Sequence, residues 1–191
     1  MKLMILDGNS ILNRAYYGVK LLSTHDGIYT NAIFGFLNIL DRLVKEEKPD
    51  ALCVAFDLRA PTFRHLRYDG YKATRHPMPE ELAMQLPYMK DVLRAMNIPV
   101  FTCEGWEADD ILGTVGRLCG EHGWDCVIVT GDRDSLQLID EHVRVKLITT
   151  KETKLYDAQT FTDEYGFEPR RLIDLKSLMG DSSDNIPGVA G

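Results

Sequence analysis

CVIVTGDRD, residues 126–134, decides the fold. Its opening is a continuous apolar run, the pattern of a parallel strand buried on both faces. Two acids, Asp132 and Asp134, follow the run at once. The same signature recurs in LMILD, residues 3–7, and in ALCVAFD, residues 51–57. Strands are expected over 2–6, 51–56, 98–102, 126–130 and 143–149. Helical spacing fills the gaps: Ile33, Phe36, Leu37, Leu40, Leu43 and Val44 over 31–47; Leu82, Leu86, Met89, Leu93 and Met96 over 80–97, with a kink or restart at Pro87; Ile111, Leu112, Val115 and Leu118 over 107–122, stopping at Gly123. Pro169 suits the first turn of a further helix over 169–179. Strands alternating with helices predict an α/β fold with a mostly parallel central sheet flanked by helices.

In such sheets ligands bind outside the carboxyl ends of the strands. Asp7, Asp57, Asp132 and Asp134 all follow expected strands, so distant positions gather on one edge. Glu107, Asp109 and Asp110 open the helix after strand 98–102 on that edge, and Asp181 and Asp184 add two late acids. On an ideal helix Glu107 and Asp110 share a face and Asp109 points elsewhere. Acids in a first helical turn also favour the helix dipole, which accounts for one or two of them but not for all nine. Two carboxylates about 4 Å apart repel by roughly 4 kcal/mol at an effective dielectric near 20. A converging cluster of this kind calls for divalent cations. All-oxygen ligation suits Mg²⁺ or Mn²⁺. The histidines (His25, His65, His76, His122, His142) are scattered, and none is assigned to a metal.

Two such ions close together activate a water and stabilise both oxygens of an in-line phosphodiester displacement. The charge pattern agrees with an anionic substrate. The net charge of the 191-residue chain is −7, but setting the nine acids aside turns the balance positive. Between Asp57 and Met78, Arg59, Arg64, Arg67, Lys72 and Arg75 face the single acid Asp69. This strip, residues 58–79, fits neither period and carries Pro61, Pro77 and Pro79; it reads as a loop or short-helix segment lying over the site. Lys72 or a nearby arginine would offset charge developing on a phosphate. Tyr68 and Tyr71 would stack on unpaired bases. No apolar run reaches the roughly 20 residues of a membrane span. The cysteines (Cys53, Cys103, Cys119, Cys126) form no CxxC pair and read as reduced residues of a cytoplasmic protein.

The stretches LDGNSILNRAYY (6–17), VAFD (54–57), FRHLRYDGYKATRHPMPEEL (63–82), EGWEADDILGT (104–114), VTGDRDSLQL (129–138) and LMGDSSDNIPGVAG (178–191) occur in an order that resembles the 5′ nuclease domain of bacterial DNA polymerase I, within the wider flap-endonuclease family. The resemblance spans almost the whole chain. It implies a PIN-like fold, a single domain over 1–191, a basic arch or gateway at 58–79, and two divalent ions, Mg²⁺ or Mn²⁺. It implies a 5′→3′ exonuclease and structure-specific endonuclease acting on DNA at 5′ flaps, nicks and ends, with RNA primers as a further candidate. One ion is expected near Asp57, Glu107 and Asp109, the other near Asp132, Asp134 and Asp181, with Asp7, Asp110 and Asp184 ligating directly or through water. Arg14 and Lys72 match residues that grip the scissile phosphate. Tyr71 matches a base-stacking residue, and Arg64, Arg67 and Arg75 fall in the arch.

The family continues past GVAG through a helix–hairpin–helix that grips duplex DNA, and residues 180–191 read as its incomplete start, so weaker duplex binding is expected of this chain. A monomer is expected, with a polymerase domain as a partner if the chain is a fragment. Two other classes fit the sequence less well: a non-catalytic DNA-binding module, which would have lost ligands, and a metal-dependent phosphatase, which would carry DxDx[TV] after its first strand where this chain has Asp7-Gly8-Asn9.

Overall fold

A computed structural model describes residues 1–189. The main sheet has six strands in the order β3-β2-β1-β4-β5-β6: β1 (Lys2–Asp7), β2 (Ala51–Ala55), β3 (Val100–Phe101), β4 (Asp125–Thr130), β5 (Val143–Ile148) and β6 (Thr153–Tyr156). The first five pair in parallel, with Ile5 beside both Cys53 and Ile128 in register, and only β6 runs antiparallel, against β5. The five expected strands are present, the third reduced to two residues. Strand β6 was not anticipated; four residues with mixed burial carry too little period to announce a strand.

The helices are α1 (Gly8–Gly18), α2 (Asn31–Glu47), α3 (Phe63–Arg67), α4 (Glu80–Ala95), α5 (Ala108–Glu121), α6 (Ala158–Tyr165) and α7 (Leu172–Met179), the last preceded by a 3-10 turn at Pro169–Arg171. Helix α4 runs through Pro87 without a break. Successive residues of the parallel strands point to opposite faces, and both faces are covered. Met4, Leu6, Val54, Phe56, Val127 and Val129 pack under α1, α2 and α4 through Ile11, Phe36, Leu43, Met89 and Leu93. Ile5, Cys53, Ile128 and Val145 pack under α5 and α6 through Leu112, Cys119 and Phe161. Cys53, Cys119 and Cys126 are free and buried, Cys103 free and exposed.

This layering brings α1 and α5 to the carboxyl edge of the sheet, where the acids emerge. Gly8 is required at the first of these junctions: a Cβ there would lie 2.4 Å from the Phe56 ring, so α1 can follow Asp7 immediately. A two-stranded hairpin, β7 (Gly180–Asp181) and β8 (Ile186–Pro187), forms a second small sheet. Gly180 sits at φ +75°, and a Cβ there would meet the Gly188 nitrogen at 2.3 Å, so only glycine closes this hairpin. Residues 180–187, within the stretch expected to begin a helix–hairpin–helix, form this strand hairpin; residues 190 and 191 lie outside the described residues. No helix among the described residues is long and apolar enough to cross a membrane.

Candidate metal centre

Asp7, Asp57 and Asp132 follow strand ends and are then fixed by backbone N–H groups. Asp7 caps α1: its Oδ1 accepts from Ser10 N at 3.0 Å, and its Oδ2 accepts from the Thr130 hydroxyl at 2.9 Å. Asp57 follows β2 and its Oδ1 accepts from Ala108 N at 2.7 Å, so the acid of one strand caps the helix after another. Its own N–H donates to Asn9 Oδ1 at 3.1 Å. Asp132 Oδ1 accepts from Asp134 N at 2.9 Å, opening the 3-10 turn Arg133–Leu138. Gly131 N donates to Ser10 Oγ at 2.8 Å, which ties the β4 and β1 loops together.

The trio at α5 differs from the ideal-helix expectation. Glu107 is the N-cap, in extended conformation (φ −100°, ψ 164°), so its three-residue spacing from Asp110 is not a helical one. Asp110 turns back, accepting from Glu107 N at 2.9 Å and holding the Arg64 guanidinium through both oxygens at 2.7 and 2.8 Å. Asp109 is the residue that faces the cluster, within the fields of Asp7, Asp57 and Asp132.

These acids line a cleft of about 860 Å³ together with Asn9, Arg14, Tyr71, Lys72 and Asp184. Burial, reinforced by the charges of Asp7, Asp132 and Asp57, pushes the Asp109 carboxyl up to about 8. Burial likewise pushes Asp7 up to about 6, against the lowering effect of its Ser10 and Thr130 hydrogen bonds and with help from Asp57 and Asp132. Burial raises Asp134 as well, only partly countered by Lys176. Among the described residues Asp7, Asp57, Asp109 and Asp132 make no ion pair, and no three acids close on one point at ligand distance. The cluster therefore carries more negative charge than its resident cations offset, and its donors are all oxygen. Both features suit hard divalent cations.

The basic strip lies over this cleft, as expected, and is seated on it. Lys72 Nζ meets Glu107 Oε1 at 2.7 Å, Arg75 pairs with Asp184, and Lys72 N donates to Asp184 O at 2.9 Å. Asn185 Nδ2 donates to Gly70 O at 2.8 Å, joining the strip to the β7–β8 turn. Tyr71 differs from the expectation of a stacking face. It is 6% exposed, its hydroxyl donates to Glu107 Oε2 at 2.8 Å, and the Lys72 ammonium lies 5.0 Å from its ring centre. Tyr68 is the exposed tyrosine of the strip. Arg67 stays outside the cleft, its guanidinium 5.6 Å from the Phe63 ring centre.

Arg14 projects from α1 into the cleft. It lies against Gly131, where a Cβ would come within 3.1 Å of its guanidinium, and its Nε is a buried donor with no partner. A buried orphan donor on a cation is costly unless an anion completes it. Asp181 holds Ser183 N at 2.8 Å and Ser183 Oγ at 2.6 Å. Burial raises its carboxyl, but Lys176 and Ser183 outweigh that and hold it well below the usual range. Lys176, which sequence reasoning missed, bridges Asp134 and Asp181; its only signal was a basic residue little more than one helical turn before Asp181. Thr130 and Ser10, which orient Asp7 and Gly131, were also missed, because a hydroxyl beside an acid is unremarkable in sequence.

A family model described as 5′-3′ exonuclease, N-terminal resolvase-like domain, matches residues 2–166. DNA polymerase I of Caldicellulosiruptor bescii is 47% identical over 195 residues, covering 100% of this chain and 23% of that protein. DNA polymerase I of Bacillus subtilis is 41% identical over 193 residues, covering 100% of this chain and 22% of that protein. The chain thus spans less than a quarter of the length of these relatives. A crystal structure of the bacteriophage T5 flap endonuclease, in a pseudo-enzyme–product complex with DNA and metal ions, superposes with a TM-score of 0.76 at 25% identity, over 100% of this chain and 71% of that one. The sheet order, the acids at its carboxyl edge and these matches lead to one conclusion: the chain belongs to the 5′-3′ exonuclease N-terminal domain family, with the PIN-like fold of the 5′ nucleases.

Proposed function

We propose that this chain is a metal-dependent 5′→3′ exonuclease and flap endonuclease that hydrolyses DNA phosphodiesters near 5′ ends. The observation that carries the reading is the carboxylate cluster Asp7, Asp57, Asp109 and Asp132, without an ion-pair partner among the described residues, in one cleft with Arg14, whose Nε has no partner among those residues. Glu107, Asp110, Asp134, Asp181 and Asp184 complete the set that would hold two divalent ions, Mg²⁺ or Mn²⁺. Such ions, when bound, supply an activated water and stabilise the attacking and leaving oxygens of the displacement.

The chain's own residues do the rest. Arg14, which lines the cleft, offers a fork of donors matched to a phosphate. Lys72 stands at Glu107 as a point charge that can turn to the same phosphate. Asp57 and Asp7, locked by backbone N–H groups, keep their oxygens oriented without reorganisation. Arg64, Arg67 and Arg75 give the strip over the cleft a positive surface for the strand that enters beneath it, and the strip must lift from the acids for that strand to pass. The 5′ flaps, nicks and ends are the proposed substrates, and a polymerase domain is the proposed neighbour in a longer chain.

The test is cleavage of a 5′-labelled flap duplex with Mg²⁺, comparing wild type with Asp132→Asn. The change is nearly isosteric and removes one ligand charge, so cleavage is expected to fall by about 100-fold or more. Undiminished cleavage by the variant would refute the role given to the cluster.

A further inference from the structure

The second group of acids already holds a cation. Lys176, midway along α7, places its ammonium 2.7 Å from Asp134 Oδ1 and 2.8 Å from Asp181 Oδ2. The two carboxylates arrive from separate elements, one from the 3-10 turn after β4 and one from β7, which belongs to a different sheet. They lie close enough for each to alter the other's charge state. A single compact positive charge joins them. By contrast, Asp7, Asp57, Asp109 and Asp132 have no ion-pair partner among the described residues. The two halves of the cluster therefore differ in kind: one is open to a cation, the other is filled by a side chain.

The lysine also has somewhere to go. Lys176 lines a second hollow of about 340 Å³ that it shares with Arg133, Asp134 and Asp181 and with the apolar bodies of Tyr165, Leu172, Leu175 and Met179. The side chain is 40% exposed, so its ammonium can leave the two carboxylates without losing contact with water. A flexible four-carbon stem along an apolar wall with the head in solvent is an ordinary resting place for lysine.

We propose that Lys176 is the resident counter-ion of the second metal position, standing where a divalent cation held by Asp134 and Asp181 would bring its charge. This rests on the two-metal reading above. An ion entering that position displaces the ammonium towards solvent, and the displacement weakens its binding. The two positions consequently fill in order, the open one first.

The experiment is Mn²⁺ titration by calorimetry of the metal-free protein without DNA, for wild type, Lys176→Met and Lys176→Arg. Wild type is expected to show a tighter and a weaker class. Lys176→Met keeps most of the stem and removes the charge; it should tighten the weaker class by about tenfold, the scale of one charge-assisted contact, and leave the tighter class unchanged. Lys176→Arg, which restores the charge, should return the weaker class to its wild-type strength. If Lys176→Met does not fold, Lys176→Gln carries the same expectation. Two classes with the weaker one unchanged or loosened in the uncharged variant would overturn the lysine's role while leaving the two-metal reading standing. No Mn²⁺ uptake by wild type would overturn both.

Discussion

Replacing Asp109 by Asn is expected to stabilise the protein when divalent metal is withheld. The carboxyl stands at about 8 in the folded chain, against 3.8 for an ordinary aspartate, because it is buried and faces Asp7, Asp132 and Asp57. At pH 7 the unfolded chain would ionise this group and the folded chain would keep it protonated. From 3.8 up to pH 7 is roughly three units, which correspond to about 4 kcal/mol opposing folding at 1.36 kcal/mol per unit. Asp109 keeps partial contact with solvent, so the realised penalty is expected at about 2 kcal/mol. Asparagine has the same shape and no charge to bury. In a protein of this size that gain raises the melting temperature by about 4–8 °C.

The sign with pH follows from the direction of the shift. A carboxyl raised by folding opposes stability only above its unfolded value of 3.8, and the opposition grows until pH passes about 8. The benefit of the substitution should therefore be large at pH 7 and small at pH 5. Thermal melts in chelator at those two pH values measure it directly. Adding Mn²⁺ should then raise the wild-type melting temperature more than that of the variant, because the ion supplies the charge the variant no longer needs. A variant that melts no higher than wild type in chelator at pH 7, or whose advantage is as large at pH 5, would refute the electrostatic account of the cluster.

Arg14→Ala should lower flap cleavage by about 100-fold while leaving the melting temperature close to wild type, because Arg14 makes no ion pair among the described residues and its Nε has no partner to lose; steady-state cleavage with parallel melts separates the two effects. Glu47 tests acid stability away from the cleft. Burial raises its carboxyl, but Lys146 and Lys2 outweigh that and hold it below the usual 4.5. Its contribution is thus present above about pH 4.5 and lost as pH falls below it. Denaturant melts between pH 6 and pH 3 should show a shallower acid loss in Glu47→Gln than in wild type.

Much of this architecture was legible along the chain. LMILD, ALCVAFD and CVIVT read as strands because parallel strands covered on both faces have no polar side to interrupt the run. Helices α2, α4 and α5 read from their spacing. What escaped was short or locally ambiguous. Strand β6 depends on pairing with β5 rather than on its own four residues. Helix α6 is capped by Asp157, whose Oδ1 accepts from Thr160 N at 2.7 Å, yet its small buried face, Phe161, carries little period.

The sequence by itself determined that the acids converge, since a parallel sheet delivers every strand's carboxyl end to one edge whatever the details of packing. The chemistry of the donors was equally legible, because all of them are carboxylates. Only the tertiary structure decided which charge each acid meets. Asp109 rather than Asp110 faces the cluster, because Glu107 is an extended cap and Asp110 is held back by Arg64. Tyr71 is buried against Glu107 instead of presenting its ring, and Lys176 occupies the space between Asp134 and Asp181. Contacts of this kind join residues far apart in the chain. They follow from how helices and the 58–79 strip pack over the sheet edge, and local periodicity carries no record of that.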